Sequence, residues 1–343
     1  MGLTESQLED LREKISSSAR PLVLFDDDPD GLCSFLMVYK HIKEGRGMPV
    51  KNTKSIGPET AYKINEYAPD LLIILDIPMI SSDFLDLVHT PIIWVDHHPL
   101  QEARGITYYN PRAHDASDNS PTSYWIYRAL RENLWIAMIG MIGDWFIPEK
   151  EIKDKFMFDY PELLSEEIQN PGAALHDSKL GELAMILSFN LKGRSTEVMK
   201  SVKVLTRIKD PYEILHQMNA GGRFIYKKYL ALKDKYDQLM RSVVVDPNNK
   251  LIFFQYANEG GSFSAELSNE LIYRHPDKVI LVAWEYNGEY KCSLRSTKVN
   301  LPALLQKALV GLSGYGGGHD LAVGACVKTE HFKQFVENIR KEL

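Results

Sequence analysis

Five short segments carry acidic or histidine side chains where apolar runs end, and together they hold the residue types of a two-metal phosphoesterase. Asp26-Asp27-Asp28-Pro29-Asp30-Gly31 follows Pro21-Leu22-Val23-Leu24-Phe25. Asp76 closes the run from Leu71 to Leu75, and Asp96-His97-His98 closes the run from Ile92 to Val95. Asp144 follows Ile139-Gly140-Met141-Ile142-Gly143, and Gly316-Gly317-Gly318-His319 comes much later. Taken singly, each Asp has an ordinary role as a helix cap or turn former. Taken together, Asp26, Asp28 and Asp30 crowd like charges at one point, which is costly unless a cation neutralises them. If the three extend from a strand, period-two geometry points them one way and turns Asp27 away. Asp76 is then the candidate bridge between two ions, with His97 and Asp144 completing the second. Oxygen-rich ligation with a single imidazole suits Mn2+ or Mg2+ better than structural zinc. Such a pair binds a phosphoryl oxygen, activates water and stabilises the leaving oxygen. His98 is placed either to reach the phosphate or leaving group or to orient its loop by a hydrogen bond. Asp96 suits the orienting of a histidine.

The elements that must position these groups alternate. Continuous β-branched runs of four or five residues read as strands buried on both faces of a parallel sheet, and ligands sit at the carboxyl ends of such strands. Leu32 to Lys43 has a helical period, ended by Gly45-Arg46-Gly47; Asp83 to Val88 is a short helical piece; Ser120-Pro121-Thr122 opens a further helix. Residues from about 150 to 240 read as helical, with breaks at Pro161, Asn170-Pro171-Gly172, Asp210-Pro211 and Gly221-Gly222, and Arg223 to Val243 reads as one linker helix. A second α/β unit follows, with strands at Leu251–Phe254, Val279–Trp284 and Tyr290–Arg295. In it, Arg295 and Ser296 after a strand, and the glycines with His319, are candidates for phosphate contact; the alternative for the glycines is a plain tight loop. Gly260-Gly261-Ser262-Phe263-Ser264 is a thinner candidate of the same kind. The expected fold class is α/β in two lobes: a largely parallel N-terminal sheet over 1–190, a basic helical linker over 191–243 and a smaller α/β domain over 244–343.

Composition narrows the class. The 343 residues are 44% hydrophobic and 25% charged, as in an ordinary globular protein, and no apolar stretch approaches the roughly 20 residues that span a bilayer. The N-terminal segment reads as a polar amphipathic helix with Leu3, Leu8, Leu11 and Ile15 on one face, not as a secretory signal. Cys33, Cys292 and Cys326 are too scattered for a disulfide framework, so a reducing cytoplasm is expected. Net charge is −6, yet residues 191–241 carry 12 Lys/Arg against 5 Asp/Glu. A basic strip on an acidic body suits a polyanion entering along one route, or simply a solvated helix face. Phe224, Tyr226 and Tyr229 in that window are candidate stacking rings or helix core.

Asp-x-Asp-x-Asp-Gly, a lone strand-end Asp, Asp-His-His, Gly-x-x-Gly-Asp and the late Gly-Gly-Gly-His, in this order, resemble the DHH phosphoesterase superfamily with its associated C-terminal domain. The resemblance implies a helical linker between the lobes with the active site at their cleft. It implies Asp28, Asp30, Asp76, His97 and Asp144 as metal ligands, with Asp26 beside the first metal. Many family members, the nanoRNase branch included, have a histidine at that place; an aspartate resembles the RecJ exonuclease branch. Asn110-Pro111 matches a structural turn. The leading expectation is a RecJ-like exonuclease using two divalent ions on single-stranded DNA, RNA or short oligonucleotides, releasing nucleoside monophosphates. Catalysis would rest on Asp76, Asp96, His97 and His98. Arg295, Ser296, Gly316, Gly317, Gly318 and His319 would bind the nucleotide. The alternatives are a small-substrate enzyme (nanoRNase, 3′,5′-bisphosphate nucleotidase or cyclic dinucleotide phosphodiesterase) and a scaffold binding a replication partner of the GINS type. No membrane partner is expected; a homo-oligomer is compatible with the sequence.

Overall fold

A computed structural model describes residues 2–51, 56–102, 104–257 and 262–343. The protein is α/β and groups into two units, residues 1–229 and 230–343. The division falls inside the helix Ala220–Ser242. Among the described residues no helix is long and apolar enough to cross a membrane.

The first unit is built on a parallel sheet of β1 (Leu22–Asp26), β2 (Arg46–Val50), β3 (Leu72–Leu75), β4 (Ile92–Val95) and β5 (Thr107–Tyr109), in the order β2-β1-β3-β4-β5. β3 and β4 are buried at every position, because helices cover both faces and every side chain must be apolar. Leu22, Leu24, Leu72, Ile74 and Trp94 pack against Ala61, Ile64 and Phe84 of the helices Pro58–Tyr67 and Ser82–Leu87. The helix Pro29–Ile42 packs on β1 and on the helices Thr122–Leu130 and Leu134–Gly143. At the N-terminus, Thr4 and Gln7 form a capping box, and Leu8, Leu11 and Ile15 are buried as their spacing predicts.

β2 and β5 are not legible in the sequence. Arg46-Gly47-Met48-Pro49-Val50 contains a glycine and a proline, and only an edge position tolerates them; β5 is a three-residue edge. The apolar run before Asp144 is the C-terminal half of the helix Leu134–Gly143. Gly221-Gly222 does not break a helix but lies in the first turn of Ala220–Ser242.

The second unit holds β6 (Leu251–Tyr256), β7 (Val279–Tyr286), β8 (Glu289–Arg295), β9 (Gly314–His319) and β10 (Ala322–Lys328), in the mixed order β6-β7-β8-β10-β9. Leu281, Leu294, Val323 and Val327 form its core with Leu304, Leu305, Phe335 and Ile339 from the helices Leu301–Ala308 and Thr329–Glu342. The glycine cluster is not a plain tight loop but an edge strand, β9, paired antiparallel to β10. Its side chains are nearly absent, so no hydrophobic period announces it.

Candidate metal centre

Register brings the polar strand ends together. Phe25, Leu75, Val95 and Tyr109 are aligned across β1, β3, β4 and β5. The residues that follow them, Asp26, Asp76, Asp96 and Asn110, therefore begin the next row at the carboxyl edge. The ladder extends one step into that row, with Asp76 N donating to Val95 O (2.9 Å) and Asp96 N to Tyr109 O (3.1 Å). The sheet order reverses direction between β1 and β3, the place where ligands bind in open α/β sheets.

Asp26, Asp28 and Asp30 do not extend from one strand. Asp26 ends β1, Asp28 is the N-cap of the helix Pro29–Ile42, and Asp30 lies in its first turn. Asp28 Oδ1 accepts from Gly31 N at 2.9 Å, so the ordinary capping role is real. Gly31 is required by close approach: a Cβ there would stand 2.6 Å from Asp26 O and 2.7 Å from Asp26 N. The grouping arises from this tight strand-to-helix turn and not from strand alternation.

Within the first unit, three sets of ligand atoms lie within 4.8 Å of one another: Asp26, Asp28 and Asp76; Asp30, Asp76 and His97; and Asp76, Asp96 and His98. Asp76 is common to all three, and the first two are the candidate ion sites. His97 Nε2 lies 3.4 Å from Asp76 Oδ1 and 3.6 Å from Asp144 Oδ2. Asp144 comes from the C-cap of Leu134–Gly143, and this helix end sits close to the turn because Gly143 meets Pro29: a Cβ would lie 2.7 Å from that ring's Cβ.

A second group supports the histidine loop. Asp96 is fully buried; its Oδ1 lies 2.7 Å from His98 Nδ1, and its Oδ2 accepts from His98 N (3.1 Å) and the Tyr108 hydroxyl (3.3 Å). Asn110 donates to His98 O at 2.9 Å, and Arg112 Nε donates to His97 O at 2.9 Å. Asn110 also caps the short helix Pro111–Ala113, the structural turn expected for Asn110-Pro111.

The electrostatics are those of a crowded acidic cluster. Burial, then the charges of Asp30, Asp28, Asp26 and Asp144, pushes Asp76 well above the carboxylate range. Burial, then Asp28 and Asp27, does the same to Asp26. Asp30 is raised to about 7 by burial and by Asp144, with His97 opposing. Among the described residues no lysine or arginine pairs with Asp26, Asp28, Asp30 or Asp76. Burial and the His98 charge lower His97, favouring the neutral imidazole that a metal requires. For His98, burial opposes the charged form. The Asp96 hydrogen bond and the charges of Asp96, Asp144 and Asp26 outweigh it and raise the group to about 9. Carboxylates crowded together without a lysine or arginine partner, beside a neutral imidazole, fit a site for divalent ions.

This cluster sets a pH dependence in the metal-free protein. A carboxyl group with a folded pKa above its unfolded value stabilises the fold below the unfolded value, and that stability is lost as pH rises through the folded one. For Asp30 the window runs from its ordinary 3.8 to about 7. In chelator, the free energy of unfolding of the wild type relative to Asp30→Asn is expected to fall across that window in denaturant titrations. A flat difference would show that Asp30 keeps an ordinary pKa.

The candidate substrate residues lie in the second unit. Arg295 ends β8, and its Nε donates to Asn269 Oδ1 at 2.7 Å. Ser296 is buried, its Oγ accepting from Lys298 N (3.1 Å) and Val299 N (2.9 Å). Gly316, Gly317, Gly318 and His319 belong to β9, with the three glycines exposed. Gly260 and Gly261 lie outside the described residues; Phe263 beside them is buried. Of the candidate stacking rings, Tyr229 is core, 5.6 Å from Phe189 between centroids, and the Tyr226 hydroxyl donates to Glu182. Phe224 is 41% exposed. Thr122 is the residue that sequence reasoning misses, because its type and position announce only a helix start.

Comparison with known proteins matches the DHH family N-terminal domain to residues 21–154 and the DHHA1 domain to residues 248–343. No curated protein matches the sequence significantly. Among solved structures, RecJ from Thermus thermophilus in complex with Mn2+ is similar at 15% identity and a TM-score of 0.65, over 98% of this chain and 54% of that one. This chain thus spans about half the length of that RecJ. The DHH domain of a member of the s1p family of ribosomal proteins gives a TM-score of 0.69 at 14% identity, over 99% of this chain and 92% of that one. CDC45 from Entamoeba histolytica gives 0.51 at 10% identity, over 99% of both chains. At these identities the solved structures share a fold with this chain. With both domains in sequence order and the Asp-His-His loop at the sheet's carboxyl edge, the chain belongs to the DHH family.

Proposed function

We propose that this protein is a RecJ-like exonuclease that hydrolyses phosphodiester bonds of single-stranded DNA or RNA from an end and releases nucleoside monophosphates. The observation that carries the reading is the sharing of Asp76 between two adjacent sets of candidate ligands. Asp26, Asp28 and Asp76 would hold one divalent ion, and Asp30, Asp76, His97 and Asp144 the other. Mn2+ is the first choice and Mg2+ the alternative, as both are found in structures of Thermus RecJ. When bound, such ions neutralise charge on the phosphoryl oxygens and lower the pKa of the attacking water.

The chain's own groups supply the rest. Asp96 fixes the imidazole of His98 through Nδ1, and Asn110 and Tyr108 fix this pair in turn. His98, held by Asp96 at Nδ1, would donate its Nε2 proton to the phosphate or to the departing oxygen. Arg295, Ser296 and the β9 residues Gly316 to His319 would bind the nucleotide. An edge strand of glycines exposes backbone N–H groups, and a Cβ at Gly317 would meet nothing within 4 Å, so packing does not require glycine there.

End-labelled DNA and RNA oligonucleotides, dinucleotides and a 3′,5′-bisphosphate, each incubated with Mn2+, test the substrate. Stepwise shortening of the long strands with mononucleotide release is expected. Hydrolysis of the small substrates alone would overturn the exonuclease reading. One observation favours that second reading: of the three candidate stacking rings, only Phe224 is well exposed.

The basic window gives a further prediction. Lys228 is half-buried and donates to Asn190 O at 2.9 Å; burial lowers it to about 8, so it caps the helix Lys179–Asn190. Lys227 is exposed. Lys227→Glu is expected to weaken binding of long single strands several-fold in a salt titration while leaving dinucleotides unaffected. Equal effects on both would remove the basic face from the substrate path.

A further inference from the structure

We infer that Thr122 is the positioning residue for the carboxylate shared by both cation sites, and that its hydroxyl decides whether two divalent ions are held or one. The inference deepens the proposed function and rests on it.

The helix Thr122–Leu130 begins after Pro121, its N-cap, which has no side-chain acceptor. Its first N–H groups must find acceptors elsewhere. They find them on Asp30: Thr122 N donates to Oδ2 at 2.8 Å, and Ser123 N donates to Oδ1 at 2.9 Å. Both donors belong to residues that are fully buried, so these are charge-assisted bonds in a low dielectric, reinforced by the positive end of the helix. The carboxylate is thus fixed in orientation, while lone pairs on each oxygen remain for a cation.

The Thr122 side chain does the same for Asp76. Its Oγ1 donates to Asp76 Oδ1 at 3.3 Å, and this is the oxygen that lies 3.4 Å from His97 Nε2. Asp76 is also constrained from behind, by a left-handed backbone (φ +61°) and by its N–H on Val95 O. Two consecutive residues therefore supply three donors that fix Asp30 and Asp76, acids that burial and mutual repulsion would otherwise drive apart. A position bridged by one carboxylate tolerates rotation of that carboxylate poorly, because both ions lose a ligand together. Thr122→Val keeps volume and branching and removes only the hydroxyl; Thr122→Ser keeps the hydroxyl.

The test uses the full chain and Mn2+ alone, without substrate. Wild type is expected to take up two Mn2+ by isothermal titration, with the exchange-coupled signal of a close pair in electron paramagnetic resonance. In Thr122→Val the second ion is expected to bind at least about tenfold more weakly, the usual scale for groups that orient ligands, and the coupled signal to be lost. Thr122→Ser restores both, and melting in chelator stays close to wild type in both variants. Thr122→Ala carries the same expectation as Thr122→Val if the latter does not fold. Wild-type stoichiometry and coupling in the hydroxyl-free variants would overturn the inference alone, as would a Thr122→Ser protein that fails like Thr122→Val. A wild type that binds no Mn2+ overturns the proposed function together with it.

Discussion

Asp76→Asn is expected to cut hydrolysis by at least about a thousandfold, at the upper end of what loss of one transition-state-stabilising group costs. Asp76 is the one residue common to both candidate ligand sets, so its loss disrupts two cation positions at once. Asparagine is the informative replacement. The backbone at this position is left-handed, a conformation Asn adopts readily and alanine adopts at a cost of about 1–2 kcal/mol. Asp76→Ala would therefore mix a chemical loss with backbone strain. The stability of the metal-free protein should move the other way. Burial and four neighbouring carboxylates raise the Asp76 pKa, so at neutral pH this group opposes folding. Melting of Asp76→Asn in chelator is expected at or above the wild-type temperature near pH 8. A rate within tenfold of wild type would remove Asp76 from the reaction.

Chelation should take hydrolysis to background and Mn2+ should restore it, with a matching effect on stability. A ligand present at a hundred times its dissociation constant stabilises by about 2.7 kcal/mol, and here it also relieves repulsion among Asp26, Asp28, Asp30 and Asp76. Melting temperature is therefore expected to rise by several degrees with Mn2+ and to saturate. In Asp76→Asn the rise should be largely absent. Full activity in excess chelator would refute the metal-dependent mechanism, whatever the melting curves show.

Much of the first site was legible because the strands that carry it are short, buried on both faces and unbroken in apolarity. β1, β3 and β4 could be read from their runs, and the polar residues ending them stood out. The edge strands β2, β5 and β9 were not, since an edge needs neither continuous burial nor alternation and tolerates proline and glycine. Tyr229 and Lys228 illustrate a different limit. A helix in isolation does not reveal which of its faces is covered, and here one ring packs on Phe189 while one ammonium serves a helix end.

The sequence by itself determined the inventory of this protein: which side chains are candidates for chemistry, that they follow apolar runs, and that like charges accumulate at 26–30. Those properties are local, fixed by residue type and by the period of burial. Only the tertiary structure decided which groups meet. Parallel register sets Asp26, Asp76, Asp96 and Asn110 in one row, and the turn at Gly31 and the contact of Gly143 with Pro29 bring Asp30 and Asp144 to it. The same packing turns the N-terminus of Thr122–Leu130 onto Asp30 and Asp76. Such partners lie 46 to 93 residues apart, and nothing in the local chain encodes their pairing; it follows from how sheet and helices close around a common core.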